Sequence, residues 1–206
     1  MYKLILASQS PRRRELLKML GLNFEIKVSN CEEIITSSEP EQVTKELAKQ
    51  KAMAVAYEIN NENIYAGKRT SDNNRDYPVI VIGADTVVAA EGEILGKPKD
   101  KDDARRMINK ISGTSHQVYT GVALVLVKNG EINCIDVFAE KTEVEVADMS
   151  EQEIEEYINT DEPYDKAGGY AIQGAFGKFV TGIKGDYNNV VGLSVHRVYE
   201  ALKNIE

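Results

Sequence analysis

Three consecutive arginines, Arg12, Arg13 and Arg14, stand where a helix should begin, and two serines, Ser8 and Ser10, lead into them. Ser10 suits an N-cap, Pro11 suits the first helical position, and Leu16, Leu17 and Leu20 recur at helical spacing before Gly21. The free N–H groups at a helix start carry partial positive charge. Arginine is therefore the wrong sign there, by a few tenths of a kcal/mol per residue. An anion held jointly by backbone N–H groups, serine hydroxyls and guanidinium forks would compensate, and a polyphosphate has the matching chemistry. A solvated basic turn is the plainer alternative.

A second set of residues could do acid–base chemistry. Val79-Ile-Val-Ile82 reads as a buried strand that ends in Gly83-Ala-Asp85-Thr86 and continues through Val87-Val88 to a hairpin at Glu91-Gly92. Asp85 is then an acid inside an apolar run, where a carboxylate needs a partner or a task; a turn aspartate capping backbone N–H groups is the other reading. Lys51 shares an i, i+4 line with Val43, Leu47, Val55 and Glu58 in a helix predicted from Pro40 to Glu58. Two readings stay open for it: an ammonium snorkelling at the edge of an apolar stripe, or one directed into a site beside the core. Tyr164-Asp-Lys-Ala-Gly-Gly-Tyr-Ala-Ile-Gln-Gly174 is not a dinucleotide fingerprint, because no G-x-G-x-x-G follows a strand. Its glycines imply close backbone approach to something.

The elements that must position these residues follow from local pattern. Lys3–Ala7 is a short apolar strand running into the serine–arginine turn, which makes an α/β opening. Asp100 caps a helix to Ile111, and Val118–Val127 and Ile132–Val146 flank the Asn129-Gly130 turn of a long hairpin. Ser150-Glu-Gln-Glu153 opens another helix as a capping box. Asn188-Asn-Val-Val-Gly192 reads as the end of a strand turn, and Val195, Val198, Tyr199 and Leu202 mark a final amphipathic helix. The stretch 60–78 is polar, turn-prone and without period, and is expected to be a mobile surface loop.

Composition narrows the function classes. The chain has 206 residues, long enough for one large domain or two small lobes. No run approaches the ~20 apolar residues of a membrane span, and the apolar start is too short for a secretory signal, so a cytoplasmic protein without membrane attachment is expected. Cys31, Cys134, His116 and His196 form no metal or redox spacing and read as structural. A net charge of −8 argues against nonspecific nucleic-acid binding. Arg12, Arg13, Lys51, Lys97 and Lys166 nevertheless fall in motif-like segments, consistent with an enclosed phosphate site plus a divalent cation held by acids.

Four segments taken together carry a resemblance: Ser8-x-Ser-Pro-Arg-Arg-x-Glu-Leu-Leu17, Gly83-Ala-Asp-Thr-Val-Val88, Leu95-Gly-Lys-Pro98 with the helix to Ile111-Ser-Gly113, and Asp165-Lys-Ala-Gly-Gly-Tyr-Ala-Ile-Gln-Gly174. In this order they resemble the Maf family, the septum-formation family of nucleoside triphosphate pyrophosphatases. The resemblance spans nearly the whole chain, as a single Maf-type domain over 1–206, apart from the long 60–78 stretch. It implies a mixed α/β sheet in two lobes around a cleft, similar to inosine-triphosphate pyrophosphatases. It further implies cleavage between the α and β phosphates with a divalent cation, a house-cleaning role, and homodimers as a common assembly. The family's general base maps onto Asp85, and its specificity positions map onto Arg12, Thr86 and Gln173.

Gln173 stands where a sister branch acting on 7-methyl-GTP tends to have a glutamate. An amide offers a donor and an acceptor that match the O4 and N3–H edge of uracil or thymine, whereas a carboxylate only accepts. That favours the dTTP and UTP branch. For the reaction, Asp85 is assigned as the base taking a proton from water, and Asp85 with Glu33 as the ligands of Mg²⁺ or Mn²⁺, Glu32 being the alternative ligand. The Glu32-Glu33 pair could equally be two solvated loop acids. Arg13, Ser8, Ser10 and the helix N–H groups are assigned to the triphosphate, and Lys51, Lys97 and Lys166 to the leaving pyrophosphate. The competing readings are a 7-methyl-GTP pyrophosphatase and a non-catalytic nucleotide-binding regulator. Substrate ranking separates the two enzymes, and product formation separates both from a binder.

Overall fold

The computed structural model describes residues 2–28, 30–65 and 77–205. Strand β1 (Lys3–Leu6) leads into helix α1 (Pro11–Lys18), whose N-cap Ser10 accepts a hydrogen bond from Arg13 N. Strand β2 (Phe24–Ile26), helix α2 (Pro40–Tyr65), strand β3 (Val79–Ala90) and strand β4 (Glu93–Leu95) follow. Helix α3 (Lys101–Ile111) precedes the hairpin of β5 (Ser115–Lys128) and β6 (Glu131–Val146), and helix α4 (Glu151–Ile158) comes next. Three 3-10 turns (Glu162–Asp165, Ala167–Gly169, Ala175–Phe179), strand β7 (Val180–Lys184) and helices α5 (Tyr187–Val191) and α6 (Val195–Lys203) complete the chain.

The strands form one mixed sheet in the order β2-β1-β3-β5-β6-β7, with β4 beside the end of β3. Strand β1 runs parallel to β2 and β3, and the other pairings are antiparallel. The period of two along β3 sorts its side chains. Val79 and Val81 pack against the alanine face of α2, while Ile80, Ile82 and Ala84 pack with Leu16, Leu17, Leu193 and Val198 on the opposite face. By the same alternation Asp85 faces α2 and Thr86 faces α1 and α5.

Two glycines let α2 lie close. A Cβ on Gly83 would stand 2.2 Å from Ala48 O, and one on Gly121 would stand 2.3 Å from Thr44 O. Gly121 is the register partner of Asp85, so the sheet is bare of side chains where α2 crosses beside that acid. The hairpin turns adopt the left-handed backbone their sequences demand, with φ of 54° at Asn129 and 83° at Gly130.

Two cores share the face opposite α2. One lies under α3, α4 and the 3-10 turns and includes Val88, Met107, Ile108, Ile154 and Phe176; the other lies under α1, α5 and α6. The mixed α/β sheet itself is as expected from the sequence. Strand β1 pairs with β3 only as far as Ile82, and β4 joins β3 from Val88 onward. Asp85 and Thr86 lie in the gap between these partners, and the cleft opens there.

Several expectations need correction. Helix α2 runs past Glu58 to Tyr65, so 60–65 is helix, not loop. Tertiary contacts override the turn-prone asparagines: Ile59 is buried, Asn60 Nδ2 donates to Gly130 O at 3.3 Å, and Glu62 pairs with Lys27 at 2.5 Å. Of the rest of the expected loop, 66–76 lies outside the described residues and 77–78 leads into β3 without regular structure. Residues 187–191 form helix α5 where a strand turn was expected, because Asp186 caps it by accepting from Asn188 N at 2.8 Å. Tyr199 is exposed, so it lies off the buried stripe of α6.

Candidate active site

The gap in the sheet opens into a cleft of about 610 Å³. Of the residues assigned to the site from the sequence, Ser8, Ser10, Arg12, Arg13, Glu33, Lys51, Asp85, Thr86, Lys97, Lys166 and Gln173 line it. Five basic side chains (Arg12, Arg13, Lys51, Lys97, Lys166) face three acidic ones (Glu33, Asp85, Asp165), which makes the cleft basic in a chain of net charge −8. Glu32 is exposed and does not line it.

The acid and the lysine face each other directly. Lys51 Nζ donates to Asp85 Oδ1 at 2.5 Å and lies 2.9 Å from Glu33 Oε1. Burial alone would depress the ammonium, but Asp85 and Glu33 outweigh it and hold Lys51 above its ordinary value. Among the described residues Asp85 Oδ2 makes no protein hydrogen bond, so the carboxylate keeps one oxygen for the cleft. Glu33 reaches this position because α2 grips the segment after it. Ile34 N donates to Gln50 Oε1 at 2.9 Å, Gln50 Nε2 donates to Ile34 O at 2.6 Å, and Thr36 N donates to Glu46 Oε2 at 3.0 Å. Gln50 and Glu46 were not anticipated; their i, i+4 spacing on the helix before Lys51 was the available signal.

Arg13 has a fuller set of protein partners than expected. Its Nε donates to Gly192 O at 2.9 Å, its Nη2 to Thr86 Oγ1 at 2.9 Å and its Nη1 to Ser8 Oγ at 3.4 Å. Protein oxygens, and not only an external anion, therefore offset the unfavourable place of this arginine at the helix start. Burial lowers its guanidinium pKa, Asp85 opposes that and Arg12 adds to it; the group remains a cation. The Thr86 hydroxyl lies 2.9 Å from Thr120 Oγ1, which donates to Asn189 O at 2.9 Å. Since Thr120 gives its proton to Asn189, Thr86 donates to Thr120 and accepts from Arg13. This chain ties α1, β3, β5 and α5 together across the cleft floor.

Across the cleft, Lys97 is exposed, Lys166 pairs with Asp165, and Gln173 is exposed at the rim. Tyr170 lines the same wall, and its hydroxyl lies 2.7 Å from His116 Nε2. Only His116 of the four cysteines and histidines is a buried packing residue; Cys31 lines the cleft, and Cys134 and His196 are exposed.

The donor set suits a hard divalent cation. Lys51 contacts both Asp85 and Glu33 and so brings two hard carboxylates together, and two carboxylates completed by phosphate oxygens and water is a usual Mg²⁺ environment. Among the described residues no three His, Cys, Asp or Glu side chains cluster into a cage, so substrate oxygens would have to complete the coordination.

A helix start and serine turn at the end of a parallel strand, basic walls and one carboxylate with an oxygen to spare define an α/β protein built to take a small polyanion. The chain belongs to the Maf family: the family described as Maf-like protein matches residues 3–205. Among its relatives, the dTTP/UTP pyrophosphatase of Agathobacter rectalis is 47% identical over 205 residues, covering 100% of this chain and 98% of that one. The dTTP/UTP pyrophosphatase of Lachnoclostridium phytofermentans is 45% identical over 207 residues, covering 98% and 95%. Among solved structures, the Ham1 protein of Staphylococcus aureus aligns with a TM-score of 0.41 at 16% identity, covering 71% of this chain and 72% of that one. A HAM1 protein from Coxiella burnetii aligns with a TM-score of 0.43 at 17% identity, covering 72% and 75%.

Proposed function

We propose that this protein is a nucleoside triphosphate pyrophosphatase that hydrolyses dTTP and UTP to the monophosphate and pyrophosphate. The observation that carries the reading is the Asp85–Lys51–Glu33 cluster set opposite the Ser8–Arg13 turn in one basic cleft. Full-length relatives named dTTP/UTP pyrophosphatase support the substrate class.

In the proposed reaction the phosphates lie along the start of α1, where Ser8, Ser10, Arg12 and the free N–H groups of Arg13 meet them. Lys51 fixes Asp85 through Oδ1, and Oδ2 takes the proton of the attacking water. The water oxygen bonds to the α phosphorus as the α–β anhydride bond breaks. The electron pair leaves on pyrophosphate, whose charge faces Lys97 and Lys166. A divalent cation held by Asp85 and Glu33 would neutralise phosphate charge and polarise the phosphorus. The Gln173 amide pairs with the O4 and N3–H edge of thymine or uracil.

The test is a product assay on dTTP, UTP, CTP, GTP and 7-methyl-GTP with Mg²⁺ or Mn²⁺, resolving monophosphate plus pyrophosphate from diphosphate plus phosphate. The expected result is pyrophosphate from dTTP and UTP, falling roughly 10²–10⁴-fold in Asp85→Asn while the melting temperature holds. Tight binding without turnover of any nucleotide would contradict it and favour a regulator.

A further inference from the structure

Gln173 stands on a segment with little secondary structure of its own. The turn before it closes with a single bond, Gly174 N to Ala171 O at 3.1 Å, and the 3-10 turn after it starts with two N–H groups that need acceptors. Glu162 supplies them. Its Oε2 accepts from Ala175 N at 2.8 Å, and its Oε1 accepts from Phe176 N at 3.3 Å and from the Tyr157 hydroxyl at 3.0 Å. Ordinary capping uses a neighbour in sequence; this carboxylate reaches back from the first 3-10 turn.

The contact is close against a glycine. A Cβ on Gly174 would stand 2.3 Å from both Glu162 carboxylate oxygens. A side chain beside Gln173 would have to displace the carboxylate from the amides it holds. Phe176, fully buried, packs against Tyr157 and Tyr170 at ring-centroid distances of 5.1 and 4.7 Å, so the far side of the segment is fixed as well. Between these anchors the backbone at Gln173 has little freedom.

We propose that Glu162 is a positioning residue for base recognition: wedged against Gly174 and holding the Ala175 and Phe176 amides, it sets where the Gln173 amide stands in the cleft. The inference rests on the reading of Gln173 as the residue that meets the pyrimidine edge. A donor–acceptor pair discriminates only when held in register, so loosening it costs selectivity between bases whose hydrogen-bonding edges differ.

The experiment measures kcat and KM for dTTP and CTP in the unmodified protein, Glu162→Gln, Gln173→Ala and the double variant. An amide at 162 keeps the volume but places N–H against backbone N–H. The expected result is a roughly tenfold fall in the dTTP-over-CTP ratio of kcat/KM, lying in the KM for dTTP. In the Gln173→Ala background, Glu162→Gln should change the ratio no further, because it acts through Gln173. A merely structural role would lower the melting temperature and slow both nucleotides alike with the ratio intact, and that overturns the proposal. If Glu162→Gln does not fold, Gly174→Ala presses on the same contact from the other side and should lower the ratio likewise; an unchanged ratio overturns the proposal. A preference for dTTP that survives these variants fails the positioning role alone. No preference in the unmodified protein fails the Gln173 reading and the inference with it.

Discussion

At the residue scale, the arginines at the start of α1 look misplaced in the sequence and are explained by what meets them in space. Arg13 is a brace whose three acceptors come from the serine turn, β3 and the glycine that ends α5. Of its five N–H donors, two remain for an anion, so the same side chain can shape the cleft and bind in it. Arg13→Lys offers a point charge in place of the fork and cannot reach three acceptors. It should lower kcat/KM for dTTP by roughly 10–100-fold; activity within twofold of the unmodified protein would show that charge alone suffices. Asp85 and Lys51 were legible because an acid in a core strand and a lysine on an apolar helix stripe each break a local rule, and each rule-breaker is the other's partner. Thr120, Asn189 and the Gly192 carbonyl were not legible. Their roles come from backbone oxygens and hydroxyls brought together by topology, and those residue types leave no mark in a pattern of polarity.

At the scale of elements, the site depends on how closely α2 lies on the sheet. Gly83 and Gly121 allow that approach, and it places Lys51 within hydrogen-bonding distance of Asp85. Gly121→Ala would put a methyl group against the Thr44 backbone, which has no rotamer to yield. It should cost about 1–3 kcal/mol of stability, read as a melting temperature lower by roughly 2–4 °C per kcal/mol, together with a fall in turnover as Lys51 shifts. An unchanged melting temperature would contradict the close-packing argument. Elements announced by local chemistry were readable: the Asn129-Gly130 hairpin, the Asp100 cap of α3 and the capping box of α4 all form as their residues dictate. Strands β2 and β7 are short and have no fully buried residue, so they leave little apolar pattern to find. Helix α5 is five residues long and exists because Asp186 and the packing of Val191 hold it, a tertiary cause that no window of sequence contains.

For the whole molecule, two cores on one sheet make a cleft whose far wall hangs partly on a buried histidine. His116 is fully buried, bonds Tyr170 through Nε2, and has no hydrogen-bond partner for Nδ1 among the described residues. Burial pushes its pKa down to about 4. The unfolded chain binds that proton near pH 6.5 and the folded one only near 4, so the stabilisation is complete above 6.5 and drains as pH falls towards 4. The loss attributable to this group should approach about 3 kcal/mol at the acid end. Urea midpoints at several pH values should fall across that window and fall much less in His116→Phe; equal slopes would remove His116 from the account. No described helix is long and apolar enough to cross a membrane. The central claim is that this cleft directs water to the α phosphorus with Asp85 as the base. The most direct measurement is hydrolysis of dTTP in heavy-oxygen water, followed by mass analysis of both products. The account predicts the label in the monophosphate and none in pyrophosphate, with both products falling together in Asp85→Asn. Label in pyrophosphate, or diphosphate and phosphate as the products, would contradict it.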